Sequence, residues 1–538
     1  MFNSQQMALA IRTFLLIIFI AAGAALLRFT FLGPFRFVFS VTSPVNAESL
    51  IAISFILLLT IGLSFGKQGS MPETPAVGHI VPCLAIIGVT ALLFSTTLHA
   101  PLLFDAYTDV ALAAQESLAK TIGKFYKHPY EGDFFFRPLV VLSYWIDFRW
   151  AGFDPFRWNL WNLGMHILTS LLVYLFARQL SLSPLLATLS GLIFAVHGSR
   201  PEVVSWVGER FDLLAAFFVM LSLVALIVSW DSTHNRKGWY ALSIASFILA
   251  LFSKESAYCF PLLVVGLIPF LSHIPRRVIL RSALHFLLTA ALVFLYRYWV
   301  LQSIGGYKTG GGDATILRFS AIRSIRALFF REWAFLFFPI NWSADTGVWI
   351  KLSVAVFLAV LCGALLWCRP QRKYLSGSLF LAIAASLPVQ HLLLLNQDLA
   401  GARVLYLPML GVSLFWGFVL QQCKGRSTLI LLATGLLVSQ MIVLHHNLSI
   451  WREAAFLSQK TCRSLGEELK RTGDAAIVAG LPSIWHGIFF LRNGFSQCVA
   501  MNSGASADLI QVNDDVSSVP PHTRVFVWSP ENNRLEEK

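Results

Sequence analysis

The sequence predicts an all-α polytopic membrane protein of about 13 transmembrane helices, with juxtamembrane amphipathic helices and a small α/β extracytoplasmic appendage at its C-terminal end. Of its 538 residues, 56% are hydrophobic and only 13% are charged, whereas roughly a quarter of an ordinary soluble domain is charged. Apolar stretches of about 20 residues recur along most of the chain, and each can cross a hydrocarbon core roughly 30 Å thick. The bilayer is therefore the main solvent of this chain.

The apolar stretches define the individual transmembrane helices. We expect these helices near residues 8–28, 47–66, 78–98, 156–177, 183–198, 209–229, 238–253, 256–272, 279–300, 348–367, 374–394, 404–421 and 427–445. Arg12 and the long apolar run after it resemble a secretory signal, but no clear small-residue cleavage site followed by a soluble domain is present. We therefore expect this run to remain as a membrane anchor.

Basic residues indicate the orientation of the helices, because cytoplasmic loops of membrane proteins are enriched in Lys and Arg. Successive loops lie on alternate sides of the membrane, and the short loops that fall on one side carry most of the basic residues. These residues are Lys67, Arg178, Arg236, Lys237, Arg276, Arg277, Arg281, Arg369, Arg372, Lys373, Lys424 and Arg426. These loops share one side only if the charged segment 320–340 lies along the membrane interface instead of crossing the membrane. The N-terminus is then cytoplasmic, and the loop 99–155 and the region 448–538 are extracytoplasmic.

The two extracytoplasmic regions have different expected structures. Within the loop 99–155, charged residues interrupt aromatic and aliphatic ones over residues 113–150, which predicts one or two juxtamembrane amphipathic helices there. The region 448–538 combines polar stretches and Pro and Gly breaks with a strand-like run from Val525 to Trp528. This composition favours a small mixed α/β unit.

The net charge of +13 has a membrane explanation, because Lys and Arg accumulate beside anionic lipid headgroups. No basic run is interleaved with exposed aromatic residues, so nucleic-acid binding is not expected. Of the seven cysteines, Cys462 and Cys498 lie in the polar C-terminal region. In an oxidising compartment they would form a disulfide, and two free thiols are the alternative.

Ionisable residues also cluster in the predicted outer loops, beginning with Asp105, Tyr107 and Asp109 just after the third helix. A carboxylate in a partly dehydrated cleft can accept a proton from an attacking hydroxyl group. A loop acid that merely ends a helix is the alternative. Arg137 follows in the same loop, where arginine suits either bidentate phosphate binding or snorkelling to lipid headgroups.

Three further clusters belong to the same predicted face. They consist of His197, Glu202, Trp206 and Arg210; Lys254 with Glu255; and Arg403 with Tyr406. So many ionisable groups beside apolar helices are costly unless they pair or line a wet cavity, so a functional site and a structural ion-pair network are both open. Cations at outer helix ends could neutralise a phosphate leaving group.

Several kinds of chemistry have no support in the sequence. It contains no Gly-rich phosphate loop, no Ser-His-Asp arrangement and no Cys/His metal spacing, which argues against nucleotide-driven pumping and serine hydrolysis. The energy for a reaction must therefore arrive with the substrate. An activated lipid-linked sugar supplies such energy and reaches the outer face without a soluble nucleotide.

These residues, taken in order, resemble a known family. The matching segments are Phe136 to Ser143, Pro155-Phe156, Asn162 with His166, Phe194 to Glu202, Trp206 to Asp212, Lys254-Glu255, Phe338 to Ser343, Arg403 to Pro408, and Asn447 with Trp451. Together they resemble the multi-spanning C-type (GT-C) glycosyltransferases, in particular the transmembrane O-mannosyltransferases that usually carry tetratricopeptide repeats. The resemblance covers roughly residues 78–455, and no repeat of about 34 residues follows it.

The resemblance implies three parts of the chain. Residues 71–447 would be a GT-C-like transmembrane catalytic domain, of which 99–155 is the first outer loop. Residues 1–70 would be an additional N-terminal transmembrane hairpin, and residues 448–538 a small extracytoplasmic domain. The protein would be a multi-pass component of the plasma membrane or an inner membrane, with its active site outside the cytoplasm.

The resemblance also implies a reaction and roles for residues. An inverting transfer would move sugar from a polyprenyl- or dolichyl-phosphate carrier to a hydroxyl group of a protein, glycan or lipid, with Asp105 as the general base. Asp109, His197 and Glu202 would assist Asp105. The carrier phosphate would be bound by Arg137, Arg210, Lys254 and Arg403. The substrate pocket would be shaped by Tyr107, Trp206, Glu255 and Tyr406. A divalent cation is implied only if folding brings Asp105, Asp109 and Glu202 together.

Two departures from the family pattern leave other functions open. Asp105 is followed by Ala106 where the family usually has a second acid, and Gly198 and Arg200 stand where a proline and a second histidine are common. A catalytically inactive scaffold therefore remains an alternative. A transporter or flippase of a lipid-linked glycan is another, although no two similar halves are visible. A polysaccharide polymerase or ligase is the third.

Overall fold

A computed structural model describes most of the chain after residue 76. The described residues are 35–36, 40–41, 77–127, 135–306, 332–337, 339, 372–389, 400–422, 426–514 and 523–538. The expected helices 8–28, 47–66 and 348–367, and the basic part of the segment 320–340, lie outside these ranges. Within them the protein is mostly helical, as the sequence predicts.

The described helices follow the predicted apolar stretches. They are α1 Val77–Phe94, α2 Ala106–Gln115, α3 Leu118–Gly123, α4 Pro138–Ala151, α5 Pro155–Gln179, α6 Pro184–Ala195, α7 Pro201–Val204, α8 Arg210–Asp231, α9 Arg236–Leu251, α10 Phe260–Val265, α11 Arg276–Leu301, α12 Glu332–Phe337, α13 Arg372–Ser386, α14 Met409–Leu420, α15 Arg426–Thr472 and α16 Phe495–Ser503. Proline fixes the first turn of several of them, since its missing N–H is not needed there. Asp154 and Ser183 cap α5 and α6 by accepting backbone N–H groups.

Four stretches in the described part are long and apolar enough to cross a membrane: Gly78–Thr97, Pro155–Gln179, Val207–Asp231 and Arg276–Leu301. Three shorter apolar helical stretches, Pro184–Ala195, Glu255–Val265 and Met409–Leu420, coincide with the predicted spans 183–198, 256–272 and 404–421. The total of 13 spans stays a prediction. The buried core of the bundle contains large apolar side chains from α5, α6, α8 and α14, including Phe176, Phe194, Met220 and Phe415.

The first outer loop contains more regular structure than the sequence indicates. Helices α3 and α4 fall in the stretch 113–150, where one or two helices were expected, and α2 begins before this stretch as an additional helix. Ser117 begins α3 by accepting the backbone N–H of Lys120. Helices α2 and α4 pack together through buried Val110 and Tyr144. The loop therefore forms a compact layer over the end of the bundle.

The C-terminal region is joined to the bundle by a continuous helix. Helix α15 extends from Arg426 to Thr472, so it continues well beyond the predicted span 427–445 and through the expected domain boundary at 447/448. The strands that follow are β3 Ala475–Ala479, β4 Ile484–Trp485, β5 Ile488–Phe489, β6 Ile510–Val512, β7 Thr523–Ser529 and β8 Arg534–Glu537, after β1 Phe35–Arg36 and β2 Ser40–Val41 near the start of the chain. In the four-stranded sheet, in the order β6-β3-β7-β8, only β7 and β8 are antiparallel.

The appendage, by which we mean residues 473–538, packs directly on the first outer loop. Cys462 of α15 and Cys498 of α16 form a disulfide. Phe104 and Tyr107 of the loop share one buried cluster with Phe490 of the appendage. This packing makes the appendage a wall of the region in which the candidate site lies.

Candidate functional site

A cavity of about 730 Å³ lies where the first outer loop, the start of α8 and the appendage meet. Three carboxylates and three cations line it, namely Asp105, Asp109, Glu209, Lys124, Arg137 and Arg403. Much of the remaining lining is aromatic: Phe104, Phe135, Phe136, Tyr144, Trp206, Phe211 and Phe489. This combination of apolar walls and a few converging polar groups is typical of ligand pockets.

Asp105 is held in the cavity by its local backbone and by one tryptophan. It is the N-cap residue of α2, and the preceding Phe104 has a φ of 56°, an unusual conformation for a bulky residue. Trp206 donates its indole Nε1–H to the Asp105 Oδ1 over 3.0 Å. A Cβ atom on Gly208 would lie 2.5 Å from that same oxygen. Only glycine therefore leaves the carboxylate room at this position.

Asp109 lies one helical turn after Asp105, on the same face of α2. The Asp109 backbone N–H donates to the Asp105 carbonyl over 3.0 Å. Burial raises the pKa of Asp105 to about 6, and Arg403 and the Trp206 hydrogen bond limit the rise. Burial and the negative charge of Asp105 raise the pKa of Asp109 further above its ordinary value. With a pKa of about 6, Asp105 is suited to act as a base near neutral pH.

Arg137 lines the cavity as predicted and belongs to a cationic cluster. Its guanidinium donates to Glu255 over 2.9 and 3.2 Å, and the Nη2 of Arg297 lies 3.1 Å from the other carboxylate oxygen. The two arginines therefore share one ion-pair partner, and the negative charges of Glu209 and Asp212 also act on Arg137. Arg137 also stacks on the rings of Phe135 and Phe211, at 4.4 and 4.2 Å from their centroids.

Arg403 also lines the cavity, but carboxylates surround it. It donates to Glu202 over 2.8 Å, and its Nε lies 3.1 Å from Glu209. The backbone N–H groups of Gly401 and Arg403 also donate to Glu202, each over 2.8 Å. Glu202 is therefore engaged in positioning the Arg403 segment, and the charge of Arg403 is largely balanced.

The other two predicted phosphate-binding cations lie behind the wall of the cavity. Arg210 is fully buried, forms an ion pair with Asp147 and donates to the Asn162 side chain over 3.2 Å. The Lys254 ammonium donates to Asp212 over 2.5 Å and is also buried. Neither residue lines the cavity. The structure thus differs from the expectation that all four cations share one hollow, because each of these two has a buried carboxylate partner.

The predicted helper or shaping residues that lie outside the cavity lining are His197, Tyr406 and Tyr107, besides Glu202 and Glu255, which pair with its arginines. His197 is fully buried, with its ring nitrogens 2.8 Å from the Ser199 hydroxyl and 2.9 Å from the Leu336 carbonyl. The Tyr406 hydroxyl lies 2.7 Å from Nδ1 of His166. Tyr107 points the other way, where its hydroxyl accepts a hydrogen bond from Asn502 of α16. These contacts hold helices and the appendage together and touch no part of the cavity.

The expected carboxylate site for a divalent cation is not formed by these residues. In the described ranges, no three His, Cys, Asp or Glu side chains are grouped as metal ligands. Asp105 and Asp109 lie together, but Glu202 is bound to Arg403 and two backbone N–H groups. The condition for a divalent cation, that folding brings Asp105, Asp109 and Glu202 together as ligands, is not met in this arrangement.

Several lining residues were not identified from the sequence. Lys124 enters from α3, where it pairs with Glu116 over 2.8 Å, and Phe489 and Asn493 enter from the appendage. No motif or spacing marks the appendage residues, because only the fold of residues after 448 brings them to the first outer loop. The buried partners Glu116 and Asp212 could have been suspected only as acids near helix ends.

A smaller side cavity, of about 470 Å³, reaches the same two acids from the appendage side. Asp105, Thr108 and Asp109 line it together with the segment Arg492 to Gln497. Gly494 has a φ of 73°, and a Cβ atom there would lie 2.6 Å from the Phe104 carbonyl oxygen. The appendage thus approaches the start of α2 as closely as glycine allows. Asp105 and Asp109 are accessible from two directions.

Comparisons with known proteins agree with the sequence-based resemblance. No family model matches the chain. The chain is 24% identical to the protein O-mannosyl-transferase TMTC4 of Mus musculus over 421 residues, which are 63% of this chain and 57% of that protein. It is 25% identical to the Homo sapiens TMTC4 over 348 residues, 53% of this chain and 47% of that protein.

Two further matches are a Drosophila melanogaster protein and a solved structure, and they cover different fractions of this chain. Drosophila melanogaster protein O-mannosyl-transferase Tmtc1 is 31% identical over 140 residues, 26% of this chain and 16% of that protein. The crystal structure of the Archaeoglobus fulgidus oligosaccharyltransferase with Zn and sulfate covers 80% of this chain and 62% of its own, at 12% identity and a TM-score of 0.40. The chain spans about half the length of the TMTC4 proteins it matches. The relatives confirm the resemblance: this chain is a homologue of the transmembrane protein O-mannosyl-transferases.

Proposed function

We propose that this protein is an inverting glycosyltransferase that moves a sugar from a polyprenyl- or dolichyl-phosphate carrier to an acceptor hydroxyl group. The observation that carries the proposal is the cavity itself, in which an acid with a pKa of about 6, Asp105, shares one hollow with the cations Arg137 and Arg403. Homology to protein O-mannosyl-transferases supports a sugar as the transferred group. The volume lies in the range of small-molecule pockets, which supports one sugar with its phosphate.

In the proposed reaction, the acceptor oxygen attacks the anomeric carbon of the sugar from the side opposite the carrier. A bond forms from that oxygen to the anomeric carbon, and the bond from the anomeric carbon to the phosphate oxygen breaks. The hydroxyl proton passes to Asp105, and the electron pair leaves with the carrier phosphate. Because there is a single displacement, the configuration at the anomeric carbon inverts.

Arg137 is the preferred cation for the carrier phosphate. Arg137 and Arg297 share the single ion-pair partner Glu255, so a phosphate group adds a favourable partner for Arg137. Arg403 is already balanced by Glu202 and Glu209. Its role is to hold the wall beside Asp105 and limit the rise in the pKa of that acid.

The two cavities suit the two substrates. The larger one contains the cations and aromatic walls, which exclude water and accommodate the donor. The smaller one gives a protein, glycan or lipid acceptor a separate approach to Asp105. The distribution of basic loops supports an extracytoplasmic position for both, where a lipid carrier can deliver sugar without a soluble nucleotide.

The experiment that tests this proposal measures release of the carrier. The purified full-length protein in lipid receives radiolabelled polyprenyl-phosphate sugars and a membrane extract as the source of acceptors. We expect release of free carrier phosphate, and a loss of about 100-fold or more in Asp105→Asn with donor binding retained. Asp508→Asn, at an exposed acid that lines neither cavity, is the matched control and should retain full activity.

The same experiment distinguishes the main rival function. A transporter or flippase would bind the lipid-linked sugar and move it across the bilayer without releasing carrier phosphate. Unchanged release in Asp105→Asn would exclude Asp105 as the base. Donor binding and translocation without any release in the wild-type protein would favour transport over transfer.

A further inference from the structure

A second cationic cavity lies at the other end of the bundle, between α8, α9 and α11. Its volume is about 600 Å³, and its lining includes Trp230, Arg236, Lys237, Tyr240, Arg281 and His285. None of these residues belongs to the candidate active site. The cavity therefore needs its own explanation.

Helix α8 fixes the distance between the two ends. Phe211 in its first turn lines the candidate active site, and Trp230 in its last turn lines the second cavity. The 19 residues between these positions correspond to a rise of roughly 30 Å, about the thickness of a hydrocarbon core. The second cavity is thus at the opposite membrane surface from Asp105. The basic loops predict this surface to be the cytoplasmic one.

The second cavity carries positive charge that no ion pair among the described residues balances. In the described part of the chain, Arg236, Lys237 and Arg281 form no ion pair, and the nearby acid Asp231 is 3.1 Å from His273 instead. Helices α9 and α11 both begin at this end without an acidic residue in the first turn and without a side-chain cap. Cations at uncapped helix starts repel the helix dipoles, so an anion from outside the chain would be favourable here.

Apolar residues lie around these cations and suit the acyl chains of a lipid. Ile244 and Val278 form apolar parts of the cavity lining. The outward face of α11 continues toward the bilayer centre with Leu284, Leu287 and Leu288, each more than half exposed. A lipid molecule in the cavity can place its anionic headgroup beside the cations. Its acyl chains can then lie along these leucines.

We propose that this cavity binds the headgroup of an anionic phospholipid of the cytoplasmic leaflet. The phosphate contacts Arg236, Lys237 and Arg281, and the acyl chains lie along α11. Basic pockets between transmembrane helices bind anionic headgroups in this way, since juxtamembrane cations attract the negative charge of the lipid. A free phosphate ion would satisfy the charge and leave the apolar groove beside it empty.

The test compares lipid binding by two triple variants of the full-length protein. Arg236→Gln, Lys237→Gln and Arg281→Gln remove the cavity cations. Arg452→Gln, Lys460→Gln and Lys470→Gln remove three exposed cations of α15 that form no ion pair among the described residues. Native mass spectrometry and thermal melting in neutral detergent measure the effects of added phosphatidylglycerol, phosphatidylcholine or inorganic phosphate.

We expect phosphatidylglycerol, and neither phosphatidylcholine nor inorganic phosphate, to bind and to raise the melting temperature of the wild-type and control proteins. Its affinity for the cavity variant should fall at least about tenfold. Equal affinity for both triple variants would overturn the proposal. An equal effect of inorganic phosphate would assign the site to a soluble anion and overturn the lipid assignment.

A second measurement does not depend on the folding of any variant. Photoactivatable phosphatidylglycerol is incorporated with the wild-type protein into vesicles of phosphatidylcholine. We expect crosslinked peptides from the first turns of α9 and α11. Crosslinks distributed evenly over the lipid-facing helices would overturn the proposal, and neither outcome depends on glycosyltransferase activity.

Discussion

Two pairs of cations from neighbouring parts of the same bundle have different surroundings. Arg137 and Arg403 line the candidate active site, with 18% and 14% of their side chains exposed. Arg210 and Lys254 lie just behind its wall, with 0% and 4% exposed, and each has a buried aspartate partner. The sequence marks all four as cations near outer helix ends. Arg403 also has buried carboxylate partners, Glu202 and Glu209, so contact with the cavity, and not the presence of a partner, separates the two pairs.

The largest expected effect concerns the stability of the wall. Arg210→Met leaves Asp147 buried without its cation, which should destabilise the protein by about 3–5 kcal/mol. Arg137→Met, at a partly exposed position, should cost much less. Thermal melting of both variants in the same detergent measures the contrast. Similar melting temperatures for the two would contradict the distinction between wall and cavity.

The next effect concerns the space around Asp105. In Gly208→Ala the new Cβ atom meets the Asp105 carboxylate and the Trp206 indole, so one of them must move. We expect kcat to fall by about 100-fold with a small change in stability, because misplacement of a base is costly. Gly164→Ala is the control, since a Cβ atom there meets nothing within 4 Å. Equal rates for both variants would show that the Asp105 position is not critical.

A smaller effect is expected for donor binding at Arg137. Loss of a charge-assisted contact in Arg137→Met should weaken binding of the polyprenyl-phosphate sugar by about tenfold to 100-fold. Arg149→Met serves as the control, because Arg149 lies on the adjoining helix α4 and does not line the cavity. Equilibrium binding of labelled donor measures both. Unchanged affinity in Arg137→Met would show that the carrier phosphate does not bind at Arg137.

The smallest effect concerns the hydrogen bond from Trp206. Since this bond lowers the pKa of Asp105, Trp206→Phe should raise that pKa above about 6. The pH at which the transfer rate is half-maximal should therefore increase, by roughly half a unit to one unit. Trp239→Phe, at an exposed residue of α9, should leave the pH profile unchanged. A shift to lower pH in Trp206→Phe would contradict the assigned hydrogen bond.

Much of the helical architecture could be predicted from the sequence, because long apolar stretches have few alternatives in a membrane protein. The spans 156–177, 209–229 and 279–300 are described as α5, α8 and α11, with bounds only a few residues different. The continuation of α15 to Thr472 could not be predicted in this way. Its second half is polar and is held by packing against the appendage, which apolar periodicity does not report.

The sequence predicts the kind of site, but it identifies only some of the residues that form it. Asp105, Arg137, Trp206 and Arg403 meet in one cavity, as their common predicted face suggested. His197 and Tyr406 resemble site residues in sequence but form buried structural contacts. Contributions from the appendage could not be predicted, since they depend on tertiary contacts between residues almost 400 positions apart, such as Asn502 with Tyr107.

The central claim is that Asp105, and not its neighbour Asp109, accepts the proton of the acceptor hydroxyl group. Single-turnover sugar transfer, measured from about pH 5 to about pH 8 in the wild-type protein and in Asp109→Asn, tests it most directly. Asp105 must be ionised to act, and its pKa is about 6, so both rates should rise with pH through about 6 and then level off. Rates that do not change across this range, or a rising limb lost in Asp109→Asn, would contradict the claim.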